Sequence, residues 1–170
     1  MNKRLIIKLC IITIIAGIGL VGYRYMTLPN LKTIKSEIIF TKSEVSYRKN
    51  YRELVRNDQK INTDFLLSKA EYSIIYSNLF PFGKRELGHT KTIELLTILN
   101  DSSTYAWGEW GTPEYSKTIV FFNSNHASIG FTEWQSLGEA DSYPYRSLMK
   151  WGGLTKKGEE KLRGIIENGG

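Results

Sequence analysis

"KTIVFFNSNHASIGFTEW", Lys117–Trp134, is the stretch on which the fold turns. After Thr118 come four apolar residues in a row, Ile119, Val120, Phe121 and Phe122. A short, unbroken apolar run of β-branched and aromatic residues is the pattern of a strand covered on both faces. "NSNH", Asn123–His126, is a turn signal, because Asn and Ser side chains bond their own backbone and Asn tolerates left-handed conformations. "ASIGFTEW" then resumes as a strand, with Ile129 and Phe131 expected on one face and Trp134 on the other. Gly130 inside that strand marks a bulge or a close backbone approach. The stretch therefore reads as an antiparallel hairpin over residues 117–134.

Outward from the hairpin the period changes to that of helices. On the C-terminal side "SLMKW", Ser147–Trp151, reads as a further short strand. "GGLTKKGEEKLRGII" follows as a turn, a Thr155 cap and a short helix with Leu162, Ile165 and Ile166 on one face. Gly158 and Gly164 should each weaken that helix by about 1 kcal/mol relative to Ala. On the N-terminal side Lys91–Asn100 reads as a well-buried helix, with Ile93, Leu96 and Asn100 along one side and Leu95, Ile98 and Leu99 widening the stripe. "NTDFLLSKAEYSIIYSNLFPFG", residues 62–83, reads as an earlier helix, capped at Asn62 or Thr63 and stopped by Pro81 and Gly83. Before it, residues 43–55 suggest a helix with a basic face of Arg48, Lys49, Arg52 and Arg56. That face is either solvated or in contact with anionic lipid headgroups. Ile34, Ile38, Ile39 and Phe40 fit a strand or a helix equally. Helices, a hairpin-based sheet and a last helix make the class α+β, with helices packed on a short antiparallel sheet.

The first thirty residues are of another kind. From Leu5 to Tyr23 the only charge is Lys8. Nineteen helical residues rise about 28 Å, which matches a hydrocarbon core of about 30 Å once Lys8 snorkels its ammonium to the headgroups. Lys3 and Arg4 precede the run, Cys10, Ile14 and Gly19 lie within it, and Tyr23, Arg24 and Tyr25 make an interfacial belt. An uncleaved transmembrane anchor is the reading; a cleaved signal peptide competes with it, but no A-x-A site is present. The run is apolar on every side, unlike the single apolar stripe of a surface helix. A short basic N-terminus before a long domain places the N-terminus inside and the domain outside the cytoplasmic membrane. Three regions result: an anchor over 1–30, a charged juxtamembrane segment over 31–60 and an α+β soluble domain over 61–170.

Charge agrees with that division. The chain carries a net +6. Residues 1–30 hold four Lys/Arg and no acid, and residues 31–60 hold eight Lys/Arg against four Asp/Glu. Residues 61–170 hold eleven against thirteen. Positive charge beside the span, rather than on the folded domain, suits a membrane protein better than a nucleic-acid binder. The single cysteine, Cys10, leaves no intrachain disulfide.

Chemistry is sparsely signalled. The only histidines are His89 and His126, so a zinc site of the usual His/Cys type is not expected. No G-x-S-x-G elbow, Walker loop or dinucleotide fingerprint occurs, and no cofactor is expected. "YAWGEWGTPEY" is the most unusual stretch: Tyr105, Trp107, Glu109, Trp110 and Tyr115 stand among Gly108, Gly111 and Pro113. Rings that stack and a carboxylate that orients can make a ligand platform, with Tyr105, Trp107 and Glu109 on one strand face; packing into the core is the other reading. Glu109, Glu114, Glu133, Glu139 and Asp141 cluster in sequence around the sheet, and a carboxylate pair could serve glycoside hydrolysis. Asn100-Asp101-Ser102 matches a glycosylation sequon. "GGLTKKGEEKL" resembles the strand-to-helix stretch of bacterial winged-helix regulators. That resemblance covers eleven residues of a generic pattern and would imply a cytoplasmic DNA-binding domain.

The function these features favour is a single-pass, membrane-anchored protein with a small extracytoplasmic binding or interaction domain. It would be an envelope accessory or immunity-type protein of a bacterium, with the lipid bilayer and a protein or envelope glycan as partners and no metal, nucleic acid or catalysis. A cell-wall polymer hydrolase using Glu109 and a second carboxylate is the first alternative, and the winged-helix regulator the second.

Overall fold

A computed structural model of the chain describes residues 3–37, 66–78, 83–107, 114–144 and 147–168. The hairpin forms as its sequence dictates: β3 is Lys117–Phe122 and β4 is Ser128–Gln135, antiparallel, with Val120 opposite Phe131 and Lys117 opposite Trp134. Asn123 closes the turn with its side chain, its Oδ1 accepting the backbone N–H of Asn125 and of Ala127, each at 3.0 Å. His126 takes a positive φ of 59° there.

Among the described residues the fold has four α-helices and a five-stranded antiparallel sheet, the α+β class expected. The helices are α1 (Lys3–Thr27), α2 (Leu31–Glu37), α3 (His89–Asn100) and α4 (Lys156–Asn168). The other strands are β1 (Tyr72–Ser77), β2 (Lys84–Leu87) and β5 (Glu139–Tyr143), and the order across the sheet is β2-β1-β3-β4-β5.

Three local expectations are corrected. Residues 72–77 are strand, not helix. "YSIIYS" supplies aromatic and β-branched residues that suit a pleated, doubly covered position, and pairing with both β2 and β3 outweighs the helical spacing. The caps expected at Asn62 and Thr63 lie outside the described residues, as do the helix over 43–55 and the segment Ile38–Phe40. "SLMKW" lies in a 3₁₀ helix, Ser147–Gly152, whose Met149 is fully buried. Strand-like pairing comes just after it, as isolated bridges of Leu154 to Tyr105 and of Gly153 to Glu139. Ile129 and Phe131 face opposite ways: Ile129 packs on the main core and Phe131 on the second cluster. The cause is a bulge, since Phe121 pairs with Gly130 but Phe122 with Ser128, leaving Ile129 as the extra residue. Gly130 is also a close approach, because a Cβ there would stand 2.5 Å from Leu66 Cδ1 and 2.6 Å from the Tyr143 carbonyl oxygen.

The two faces of the sheet are covered differently. Ile75, Ile119, Phe121 and Trp134 meet Leu95, Leu96 and Leu99 of α3 and Leu162, Ile165 and Ile166 of α4 in one core. Ser73 belongs to that face too, and its hydroxyl meets Thr92 Oγ1 at 3.0 Å. On the opposite face Val120 and Phe131 enclose Ile34 of α2, with Leu31, Tyr76, Phe122 and Tyr143 around them. Residues 31–37, the start of the charged juxtamembrane segment in the sequence, thus lie against β4.

α4 shows how a weak helix is held. Thr155 caps it as expected, accepting the Gly158 N–H at 3.1 Å. At the other end Arg85, on edge strand β2, donates to the carbonyls of Ile165 and Ile166 at 2.8 and 2.6 Å. A guanidinium there satisfies last-turn carbonyls and meets the negative end of the helix dipole.

Candidate functional site

Of the residues singled out in "YAWGEWGTPEY", the described ones, Tyr105, Trp107 and Tyr115, differ in burial. Tyr105 is core: it is 1% exposed, and its hydroxyl donates to the Leu99 carbonyl at 3.1 Å. It joins Leu154 in a single bridge instead of lying in a strand, so no strand face carries Tyr105 and Trp107 together. Burial, seconded by the charge of Asp141, holds its hydroxyl well above the usual tyrosine range. Trp107, two residues on, is 45% exposed. Glu109 and Trp110 lie outside the described residues. Tyr115 is half-buried just before β3, where its carbonyl accepts from Asn78 Nδ2 at 3.1 Å. The next residue, Ser116, donates its N–H to the Trp134 carbonyl at 3.0 Å.

Around Tyr115 the sheet gathers acids. Register places Glu133 on β4 directly opposite Asp141 on β5, so their side chains share one face. Burial first, then the charges of Asp141, Glu139 and Glu133, push the Tyr115 hydroxyl far above its ordinary value. Glu133 is raised by burial and by Asp141, against the pull of Lys35. Asp141 keeps a solvent-open edge, yet enough protein surrounds its carboxyl to remove much of its hydration. That loss raises it, and the Lys35 charge and a hydrogen bond from the Ser142 backbone only partly offset it. Glu139 is raised by burial and Asp141, although Gln135 Nε2 donates to its carboxylate.

The same two strands carry a pair of rings. Phe131 and Tyr143, opposite each other and two positions along from the acids, stack at 5.6 Å between centroids and 15° between planes. Lys35 of α2 brings its ammonium over both, at 5.2 Å from Phe131 and 5.5 Å from Tyr143. Its own carbonyl accepts the Tyr143 hydroxyl at 3.4 Å. On this face of the β4–β5 ribbon two rings and two carboxylates thus stand together, with Phe131 buried beneath α2 and the Lys35 ammonium over both rings.

The clustering of Glu133, Glu139 and Asp141 is visible in the sequence. Their pairing is not, because it needs the β4–β5 register. Phe131, Tyr143 and Lys35 were missed for a different reason, since nothing local ties residue 35 to residue 143. The histidines stand elsewhere: His126 Nδ1 meets the Tyr72 hydroxyl at 3.0 Å, and His89 Nδ1 lies 3.2 Å from the Glu71 carbonyl. Among the described residues no three His, Cys, Asp or Glu side chains converge on a metal position. Comparison with protein-family models, curated proteins and solved structures finds no match.

Proposed function

We propose that the protein is a single-pass, membrane-anchored binding module. Its N-terminus lies inside the cytoplasmic membrane, and its α+β domain engages a protein or an envelope glycan outside it, without catalysis. The observation that carries this reading is α1. It contains one apolar segment, Leu5–Tyr23, of mean hydropathy 2.5, with none of it buried against the rest of the chain. Ile12, Ile15, Ile18 and Val21 are each more than 60% exposed. In water such a surface is costly at about 25 cal/mol per Å² of apolar area, and a bilayer removes that cost. The Thr13 hydroxyl, near the middle of the span, is satisfied internally, its Oγ1 donating to the Leu9 carbonyl at 2.9 Å, as hydrocarbon requires. Cys10 stands exposed on the same helix.

Binding rather than chemistry is favoured by what the β4–β5 strip offers. Its rings and carboxylates can stack against and orient a ligand. Membrane extraction tests the anchor: full-length protein should stay in the pellet after carbonate washing, and a C-terminal reporter should be active only outside the membrane. Recovery of intact protein in the carbonate supernatant would refute the anchor. A separate platform at the exposed Trp107 is tested on its own: Trp107→Ala should leave the melting curve unchanged and lose partners captured from envelope extract.

A further inference from the structure

α2 has seven residues, too few to persist as a helix in isolation. What holds it to the sheet is small. Ile34 is buried between Val120 and Phe131, and Leu31 packs beside it. Asn30 caps it, its side chain accepting from the Thr33 N–H at 3.2 Å. Lys35 adds to this attachment twice, its carbonyl accepting the Tyr143 hydroxyl at 3.4 Å and its ammonium standing over the faces of Phe131 and Tyr143. Aromatic faces attract a cation through their quadrupoles, and carboxylates nearby add charge. The Glu133–Asp141 pair lies two positions along the same strands, and Lys35 pulls on both carboxyl groups. The group this corner holds is therefore an alkylammonium delivered by a lysine.

We propose that the Phe131–Tyr143–Glu133–Asp141 corner is a binding site for a primary alkylammonium, filled in the resting protein by Lys35 and exchangeable for a lysine side chain of a partner protein. Exchange would lift α2 from the sheet. Only Leu28, Pro29 and Asn30 separate α2 from α1, a reach of about 10 Å. Docked, α2 keeps the sheet close to the anchor; undocked, it lets the domain move away. A partner lysine is favoured over a lipid amine because the site already fits a lysine carried on a helix. The slight excess of acid over base in residues 61–170 also suits a basic partner. The proposal rests on the binding-module reading for its partner alone, because the corner can be titrated whether or not Trp107 binds anything.

A site closed by its own ligand about nine-tenths of the time binds an outside ligand about tenfold more weakly than the open site. The test uses full-length protein in phosphatidylcholine nanodiscs, with n-butylammonium as the lysine mimic and ring-proton NMR shifts of Phe131 and Tyr143 as the readout. Lys35→Ala should bind n-butylammonium saturably and about tenfold or more tighter than the unaltered chain. Adding Tyr143→Leu to that variant should abolish the binding. In the unaltered chain, excess n-butylammonium should remove the ring-current shift of the Lys35 Cε protons, a readout that needs no variant to fold. Equal affinity with and without Lys35 would overturn the proposal, as would the same response to neutral n-butanol. Ring shifts in Lys35→Ala produced by phosphatidylethanolamine nanodiscs alone would overturn the partner assignment in favour of a lipid amine. Loss of Trp107-dependent capture with these results intact would refute only the separate platform.

Discussion

Two glycines of one helix should respond to the same substitution with opposite signs. By helix propensity alone, Gly158→Ala and Gly164→Ala would each stabilise α4 by about 0.8–1 kcal/mol. The structure separates them. A Cβ at Gly164 meets nothing within 4 Å, so Gly164→Ala keeps the full gain. A Cβ at Gly158 would run into the Thr104 carbonyl oxygen and stand 2.9 Å from both Cα and Cγ2 of Thr104. Two of these three atoms are backbone and cannot rotate away. The same carbonyl accepts the Thr155 N–H at 2.9 Å and the Thr155 hydroxyl at 3.2 Å, so pushing it aside disturbs the residue that caps α4. Overpacking costs about 1–3 kcal/mol and a lost cap about 1 kcal/mol. Set against the propensity gain, Gly158→Ala should be destabilising by about 1–3 kcal/mol. Thermal melts of full-length protein in mild detergent, followed by near-ultraviolet circular dichroism, give the readout. A domain of this size shifts by about 4–8 °C per kcal/mol, so Gly164→Ala should raise Tm by about 3–8 °C and Gly158→Ala lower it by about 4–24 °C. A rise for both would refute the close packing of α4 on residue 104.

The paired acids make stability depend on pH in a stated direction. Glu133, Glu139 and Asp141 are all raised above their ordinary values in the folded state. The native protein therefore holds protons that the unfolded chain releases, and the stability this confers is present below the ordinary carboxylate range and lost as pH rises through the raised values. Melts between pH 4 and 7 should show this loss, and Glu133→Gln with Asp141→Asn should flatten it and raise Tm at neutral pH. Asp101 works against the trend, because its hydrogen bonds from Ser103 lower it, so the double variant and not the parent curve isolates the pair. Arg85→Met keeps the aliphatic stem but removes both donors to the last turn of α4. The expected loss is about 1–2 kcal/mol in the same melts, with amide exchange quickening first in the last turn of α4.

What the sequence disclosed follows from how far each signal reaches along the chain. The β3–β4 hairpin was legible because its strands are separated by a turn that Asn123 closes through its own side chain. α3 and the Thr155 cap were legible for the same reason, being set by neighbours three or four residues apart. β1 was not, because the spacing in residues 62–83 suits a helix locally and its strand state depends on pairing with β2 on one side and with β3, some forty residues later, on the other. Ile129 shows the limit at single-residue scale. Its facing is decided by one bulge, which Gly130 announces without saying which way the following side chains turn.

The site follows the same rule with larger consequences. Tyr105, Trp107 and Tyr115 drew attention as a local concentration of rings, yet burial assigns Tyr105 to the core and leaves Trp107 at the surface. Glu133 and Asp141 are neighbours in sequence by accident of a short hairpin, and it is the register that turns proximity into a pair on one face. Lys35 is the extreme case: its contact with Tyr143 spans 108 positions, and its own segment reads only as charged. A charged segment beside a membrane span invites an electrostatic role at the bilayer. Here one of its cations is instead directed onto the sheet by the isoleucine before it, whose burial fixes the helix and so aims the lysine. The contact of α2 with the sheet is thus a hydrophobic one that positions a charge, and it is legible only after the sheet has formed.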